Sequence, residues 1–129
     1  MAMKIKLPKD NLKKVCDALW SNCIKARAGY KSELSGKTEL LNAHHLRGKP
    51  NYLLRYSLDN GISLTNGEHF FVAHNTGRRE TFENRVKVLR GDDIFQRLEL
   101  LRSFRGKVDL FLVKAYLEQQ LKMFNSKSK

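Results

Sequence analysis

The stretch that decides the fold is residues 38–75, which contains Leu41-Asn-Ala-His44-His45-Leu, then Asn60-Gly-Ile-Ser-Leu64, then His69-Phe-Phe-Val-Ala-His74. All four histidines of this 129-residue chain lie within it. Histidine is the commonest side-chain metal ligand and the side chain best suited to proton transfer near neutral pH. Their clustering therefore predicts one site with metal or proton chemistry, rather than four unrelated residues.

The same stretch predicts two short strands. Residues 39–46 are typical of a strand that ends in the His-His pair, residues 62–64 of a second strand, and the residues between them of a loop. The dipeptide Asn60-Gly61 is a turn signal. An amide side chain at Asn60 can also clamp the loop and orient the backbone of His45, so two interpretations of this residue stay open.

Adjacent histidines on a strand point to opposite sides of it. One of the pair can therefore face a metal ion while the other faces a water molecule, and we assign His44 to the metal and His45 as general base. Hydrolysis of a phosphodiester needs both functions, because water is a weak nucleophile and the departing oxygen is a poor leaving group.

A helix that begins at Thr65 or Asn66 should carry the remaining histidines. His69, on its first turn, is the expected second metal ligand. His74 lies about 140° further round an ideal helix, so it coordinates the metal only if the helix ends or distorts between them. Otherwise it contacts a DNA phosphate or packs locally.

Helices are predicted on both sides of this core. Residues 9–28 carry an apolar stripe at spacings of three and four, and C-terminal helices are predicted over about residues 78–124. These helices pack on the N-terminal helix or form a dimer surface; the sequence does not choose. Cys16 and Cys23 would lie about 10 Å apart along the first helix. That is too far for a disulfide, so we expect two small buried side chains.

Composition indicates a globular chain that forms one domain over residues 1–129. The segment with the two predicted strands and the histidine-bearing helix occupies about residues 38–76 of it. The net charge of +12 and the pI near 10.0 predict a polyanionic partner, nucleic acid first. No apolar run approaches the ~20 residues of a membrane span. The first residues also lack the apolar core of a signal peptide. We therefore expect a cytoplasmic protein with no membrane partner.

These residues resemble the HNH endonuclease family, which is built on a ββα-metal motif. The likeness rests on the His44-His45 pair, on Asn60 within Leu54-Arg-Tyr-Ser-Leu-Asp-Asn60-Gly, and on His69 with His74. It extends over about residues 19–85. The resemblance implies an α+β fold, mostly helical, with a central ββα-metal motif built on a short two-stranded antiparallel hairpin.

The resemblance also implies an activity and a site. Members of the family hydrolyse DNA with one divalent metal ion, for which magnesium, manganese, nickel and zinc are variously tolerated, and leave 5′-phosphate and 3′-hydroxyl ends. By resemblance His44 and His69 are metal ligands, with His74 as a further candidate. His45 is then the base and Asn60 the residue that orients it.

One departure from the family concerns a structural zinc. Many relatives carry two Cys-x-x-Cys pairs beside the site, and the aligned positions here are Ser32, Ser35, Thr65 and Glu68. No thiolate remains, so no structural zinc is expected. Burial and hydrogen bonds should hold the scaffold instead, with these apolar candidates: Leu34, Leu64, Phe70 and Phe71. The retention of all four histidines favours an active enzyme over an inactive relic.

Affinity for DNA should come mostly from neutralised phosphates, and should therefore fall steeply with salt. The basic residues nearest the site are the candidate contacts: Arg47, Lys49, Arg55, Arg78 and Arg79. No zinc finger or recognition helix is recognisable. Specificity is therefore expected to be low, shape-based, or supplied by a partner protein.

Three functions stay open from the sequence. The first is a metal-dependent DNA endonuclease, either a nickase or a double-strand nuclease. The second is a non-catalytic basic DNA-binding or assembly protein that retains the HNH fold, and the third is an RNA nuclease or a toxin domain. Small members of the family are frequent in bacteriophages, so the resemblance suggests a phage origin and the host cytoplasm as location. A homodimer and a phage partner protein are both left open.

Overall fold

The structure is a computed structural model that describes residues 9–74 and 79–127. The fold is α+β and mostly helical, as predicted, and the described residues form one two-stranded antiparallel sheet. Its elements are α1 (Lys9–Arg27), β1 (Leu41–His45), α2 (Tyr52–Arg55), a 3-10 turn (Leu58–Asn60), β2 (Gly61–Thr65), α3 (Asn66–His74), α4 (Arg79–Arg90), α5 (Ile94–Arg102) and α6 (Leu110–Lys127).

The two strands pair with His44 opposite Ile62 and His45 opposite Gly61. The predicted turn at Asn60-Gly61 is wrong, because Asn60 ends the 3-10 turn and Gly61 is the first residue of β2. A side chain at position 61 would overlap Ile24, and its Cβ would lie 2.6 Å from a ring carbon of Trp20. Glycine is therefore needed there so that α1 can pack directly against the start of β2.

The connection between the strands is not the plain loop that the sequence predicted. It contains α2, whose N-terminus is capped by Asn51: the side-chain oxygen of Asn51 accepts a hydrogen bond from the backbone N–H of Leu54 (2.8 Å). The amide nitrogen of the same side chain donates to the carbonyls of Leu101 and Arg102, both at 3.0 Å. One asparagine thus joins the start of α2 to the end of α5.

The structure settles what the first helix packs against. α6 lies along α1, and their apolar faces share a core that contains Leu12, Trp20, Ile24, Leu110 and Leu117, among others. Cys16 and Cys23 are free and buried in the same core, as expected. Their thiols lie 3.5 Å and 3.2 Å from backbone carbonyl oxygens of α6. Burial raises the pKa of Cys23 to about 11, so the thiol is protonated and can donate.

A second core joins the sheet to the C-terminal helices. It consists of Leu46, Leu54, Ile62, Leu64, Phe82, Val86, Ile94 and Leu98. Leu64 is fully buried and Leu34 packs against this core, as predicted. The prediction for Phe70 and Phe71 is wrong, because the two residues are 68% and 42% exposed. They lie on the outer side of α3.

Hydrogen bonds fix the start of α3. The backbone N–H of Glu68 donates to Thr65 Oγ1 (3.2 Å), and Glu68 Oε1 accepts from the backbone N–H of Thr65 (2.9 Å), which together form a capping box. The same carboxylate oxygen accepts from Ser32 Oγ (2.6 Å). We call these three residues the Glu68 latch. It stands at three of the four positions that, by the resemblance stated above, align with zinc-binding cysteines of many HNH endonucleases.

The Glu68 latch is anchored further by the loop before β1. Ser32 Oγ accepts hydrogen bonds from the backbone N–H groups of Leu34 and Ser35 at 3.1 Å and 3.2 Å. Burial alone would raise the pKa of the Glu68 carboxyl, but hydrogen bonds, chiefly from Ser32 and Thr65, outweigh it and lower that pKa. The carboxylate is therefore ionised at neutral pH. This anchored helix start therefore orients the next residue, His69.

Candidate active site around the histidine pair

Strand β1 and helix α3 bring His44 and His69 together. Their ring centres lie 4.6 Å apart with an angle of 67° between the ring planes. Phe82 of α4 approaches His44 edge-on, at 6.0 Å between ring centres. The two residues predicted to be metal ligands are thus in contact, and both are half-buried.

His44 is neutral at physiological pH. Burial lowers its pKa to about 4, and the nearby His69 and His45 add to the effect. Neutral imidazole is the form that binds metal ions, because it keeps a lone pair on one nitrogen. Protons therefore compete little with a cation at His44 near pH 7.

The spacing of the two rings fits a shared cation. An imidazole nitrogen lies about 2.0–2.1 Å from a bound zinc ion, which puts the ring centre about 3.2 Å from the metal. Two imidazoles on one ion, at angles of about 90° to 109°, then have ring centres about 4.5–5.2 Å apart. The observed 4.6 Å between His44 and His69 falls within that range.

The described residues bring together two candidate metal ligands, the imidazoles of His44 and His69. Over residues 9–74 and 79–127, no group of three or more histidine, cysteine, aspartate or glutamate side chains is arranged to hold a metal ion. His74 is the last residue of α3, and its side chain lies outside the described residues. Its predicted role as a ligand stays a prediction.

His45 has different neighbours from His44. Its ring stacks on the indole of Trp20, with ring centres 3.8 Å apart and planes within 6° of parallel. Its Nε2 lies 3.0 Å from the backbone carbonyl oxygen of Arg55. A carbonyl only accepts hydrogen bonds, so Nε2 carries the proton and Nδ1 carries the lone pair. The contact therefore fixes both the orientation and the tautomer of the ring.

The ring of His45 is also neutral. Burial lowers its pKa to about 4, the hydrogen bond to the Arg55 carbonyl opposes that shift, and the positive charges of Lys49 and Arg55 reinforce it. At neutral pH the ring therefore carries one proton, on Nε2, and Nδ1 is free to accept a second.

All three histidines with described side chains line one cleft of about 560 Å³, together with Trp20 and Lys49, among others. His44 and His45 also line a second cleft, of about 210 Å³, with Arg47 and Glu83. A ligand in the larger cleft can therefore reach the ring of His45 and the His44–His69 pair at once.

Asn60 clamps the backbone directly after His45. Its side chain is fully buried; Oδ1 accepts from the backbone N–H of Arg47 (2.9 Å), and Nδ2 donates to the carbonyls of Gly48 (2.9 Å) and Leu54 (3.1 Å). All of these partners are backbone groups of the connection between the strands. This geometry corresponds to the clamp that the sequence predicted as one of two interpretations.

The predicted basic contacts differ in what they touch. Arg47 and Arg79 line the smaller cleft, and Lys49, which is exposed, lines the larger one. Arg55 also lines the larger cleft, but its guanidinium makes two hydrogen bonds to Asp17, at 2.7 Å and 2.8 Å, and its side chain is only 16% exposed. Its charge is neutralised inside the protein, while its carbonyl holds His45. Arg78 lies outside the described residues.

Sequence reasoning missed three groups at this site. Trp20 is 25 residues before His45, and no local pattern connects a helix residue to a strand so far away. The Arg55 carbonyl is a backbone group, and side-chain motifs do not reveal backbone contacts. Glu83 lies in a helix that was predicted from its apolar residues alone, so its polar side chains were given no role. In contrast, the Thr65-x-x-Glu68 spacing is a capping-box signature that could have been recognised.

No family model, no curated protein and no solved structure matches this chain. The resemblance to HNH endonucleases therefore rests on the residues quoted above. In the part of the chain that the structure describes, no helix is both long and apolar enough to cross a membrane.

Proposed function

We propose that this protein is a metal-dependent endonuclease of the HNH type that hydrolyses phosphodiester bonds in DNA. The observation that carries the proposal is the division of roles between two adjacent histidines. His44 meets His69 at a distance that suits a shared cation, while His45 is fixed by Trp20 and a carbonyl with one nitrogen free to accept a proton.

His45 acts as the general base in this proposal. The Arg55 carbonyl holds the proton on Nε2, so Nδ1 is the atom that takes a proton from the attacking water. Trp20 prevents the ring from rotating away, because the two planes are stacked. Asn60 fixes the backbone that follows, so the position of His45 does not depend on a mobile loop.

A base with a pKa of about 4 is weak, and this bears on the role of the metal. His44 and His69 would hold one divalent cation, which would stabilise the negative charge on the departing oxygen and so lower the barrier to attack by a water that only a weak base deprotonates. With only two protein ligands, the remaining coordination positions of the cation would be filled by water and phosphate oxygens. Such a mixed set of nitrogen and oxygen ligands is compatible with magnesium, manganese, nickel or zinc.

The positive charge of the protein supports nucleic acid as the substrate. The chain has a net charge of +12, and Arg47, Lys49 and Arg79 line the clefts that the histidines share. A phosphodiester brought to these clefts meets cationic side chains next to the proposed base. The 5′-phosphate product and the preference for DNA follow from the resemblance alone.

The test is nicking of supercoiled plasmid with magnesium, manganese or nickel, using wild type and His45→Ala purified in the same way. We expect wild type to nick in at least one metal and to stop in EDTA. The variant should lose about 10²–10⁴-fold in rate, the usual contribution of a general base. Circular dichroism confirms that the variant folds. Equal inertness of both proteins in every metal would refute the proposal.

A second candidate is a basic DNA-binding protein without catalysis. It is favoured by the finding that the described residues bring only two potential metal ligands together. This candidate predicts salt-dependent binding to DNA by a wild type that never cleaves. Parallel assays on a single-stranded RNA and a structured RNA test the remaining alternative, a nuclease that acts on RNA.

A further inference from the structure

The smaller cleft beside His44 contains one carboxylate between two arginines. Glu83 of α4 forms an ion pair with Arg47, with Nη2 and Oε1 2.8 Å apart, and Arg79 Nε lies 3.6 Å from the same oxygen. All three side chains line the cleft of about 210 Å³ that His44 and His45 also line. A phosphate that reached the histidines through this cleft would meet the same two arginines.

Arg47 is held in a fixed orientation. Its backbone N–H donates to Asn60 Oδ1, and its guanidinium carbon lies 3.9 Å from the centre of the Phe95 ring. Its side chain is only 19% exposed. A guanidinium stacked on an aromatic ring directs its N–H groups outward in the plane of the ring system. Here Nη2 meets Glu83 Oε1, while Nη1 donates to the carbonyl of Leu46 at 3.3 Å. An N–H group of this kind can bond to a phosphate oxygen as well as to a carboxylate oxygen.

We infer that Glu83 is a built-in competitor of the substrate: in the free protein, its carboxylate takes the place on Arg47 that a phosphate of the nucleic acid takes in the complex. This inference rests on the proposed function and adds to it a control of affinity at the same site. A phosphate that binds Arg47 through Nη2 uses the nitrogen that Glu83 occupies in the free protein, so its binding breaks the Arg47–Glu83 ion pair. Glu83 thus keeps the cleft ordered when empty and weakens the hold on nucleic acid.

The experiment uses Glu83→Gln, which removes the charge and keeps the shape of the side chain. Binding of the full chain to a short DNA duplex is measured by fluorescence anisotropy in EDTA, so that no cleavage occurs. We expect the variant to bind severalfold more tightly than wild type. Over roughly 50–200 mM salt, the plot of log affinity against log salt should become steeper by about one unit, as for one additional neutralised phosphate.

The matched control is Glu99→Gln. Glu99 of α5 also pairs with an arginine, Arg102, at 3.6 Å, and both side chains are more than half exposed. Neither residue lines the two histidine clefts. Both substitutions add one positive charge to the whole protein, so any excess gain in Glu83→Gln comes from the cleft itself.

A double variant tests whether the gain in DNA affinity depends on Arg47. Arg47→Met keeps an unbranched apolar side chain against Phe95 but removes the charge. In the Arg47→Met background, Glu83→Gln should raise the affinity for DNA by no more than Glu99→Gln does in the wild-type protein. If circular dichroism shows that Arg47→Met is unfolded, Arg79→Gln replaces it in the cycle, because Arg79 is 68% exposed. The gain from Glu83→Gln should then be reduced.

Three results would overturn the inference: equal gains from Glu83→Gln and Glu99→Gln, weaker binding by Glu83→Gln, or a full gain that persists without Arg47. Weaker binding would mean that Glu83 orients Arg47 for the substrate rather than competing with it. These outcomes are separate from the test of the proposed function, which depends on cleavage with metal and not on binding in EDTA.

Discussion

The two sides of strand β1 differ in how firmly they hold their histidine. On one side, His45 is stacked on Trp20 and hydrogen-bonded to a carbonyl, so its ring is fixed before any ligand arrives. On the other side, the ring of His44 contacts the rings of His69 and Phe82. Within the described residues, no hydrogen bond is made by the ring of His44 or His69. A base needs one fixed tautomer, whereas a metal ligand needs an available nitrogen.

This difference shows how one short strand can serve two chemical functions. Successive side chains of a strand point to opposite faces, so neighbours only one residue apart can be controlled by different parts of the fold. The His45 side is built by α1 and α2, and the His44 side by α3 and α4. Single substitutions can therefore disturb one side of the strand at a time.

The largest effect is expected when the His45 side is disturbed by Gly61→Ala. The new Cβ would overlap Ile24 and Trp20, which pushes α1 away from β2 and Trp20 away from His45. Overpacking of this kind costs about 1–3 kcal/mol. We expect a lower melting temperature and a reduced cleavage rate, with affinity for Ni²⁺ little changed.

Gly67→Ala is the matched control for that variant, because a Cβ at position 67 meets no atom within 4 Å. It should leave stability and cleavage close to wild type. A Gly61→Ala protein that melts and cleaves like Gly67→Ala would show that the contact between α1 and β2 does not support the base.

A smaller effect is expected when the His44 side is disturbed by Glu68→Ala. The variant removes the acceptor for Ser32 Oγ and for the backbone N–H of Thr65, and so loosens the start of the helix that carries His69. Loss of a helix cap costs about 1 kcal/mol. Calorimetry should show weaker binding of Ni²⁺, while the fluorescence of Trp20 stays unchanged.

Glu80→Ala is the control, since Glu80 is an exposed acidic residue in the first turn of α4. It shares the favourable position at a helix N-terminus but has no role in the Glu68 latch. Should both variants weaken Ni²⁺ binding equally, the effect would be one of general charge and the latch would have no positioning role.

The last prediction concerns pH. Both His44 and His45 have a pKa of about 4 in the folded protein, below the ordinary value of 6.5. Between these values the unfolded chain binds more protons than the folded chain, so the free energy of unfolding should fall as the pH is lowered from about 6.5 to about 4. Urea titrations at several pH values measure this slope.

The single tryptophan separates the two histidines in that titration. A protonated imidazole stacked on an indole quenches its fluorescence, so Trp20 emission should fall with a midpoint near pH 4 in the folded protein. The transition should be absent in His45→Asn and present in His44→Asn. A midpoint near 6.5 would mean that His45 is not buried as described.

The sequence predicted the features that depend on local periodicity. Alternation along a strand placed His44 and His45 on different faces, and the helix start at Thr65 or Asn66 follows from capping preferences. The 3.6-residue stripe predicted α1 within one residue. These patterns connect residues that are close in the chain.

What the sequence did not predict depends on contacts across the chain. Asn60-Gly61 is a common turn dipeptide, and only the packing of Trp20 and Ile24 shows why this glycine is needed. The pairing of Arg55 with Asp17, 38 residues away in the chain, could not be predicted from the sequence, and the role of Arg55 as a DNA contact stays a prediction. The partner of α1 likewise could not be chosen from the apolar stripes of the C-terminal helices.

The most direct test of the account is calorimetric titration of Ni²⁺ into wild type, His44→Ala, His69→Ala and His45→Ala. Because the account assigns the cation to His44 and His69, it predicts one site in wild type, a large loss of affinity in the first two variants, and near wild-type affinity in His45→Ala. Absence of binding to wild type, or an equal loss in His45→Ala, would contradict it.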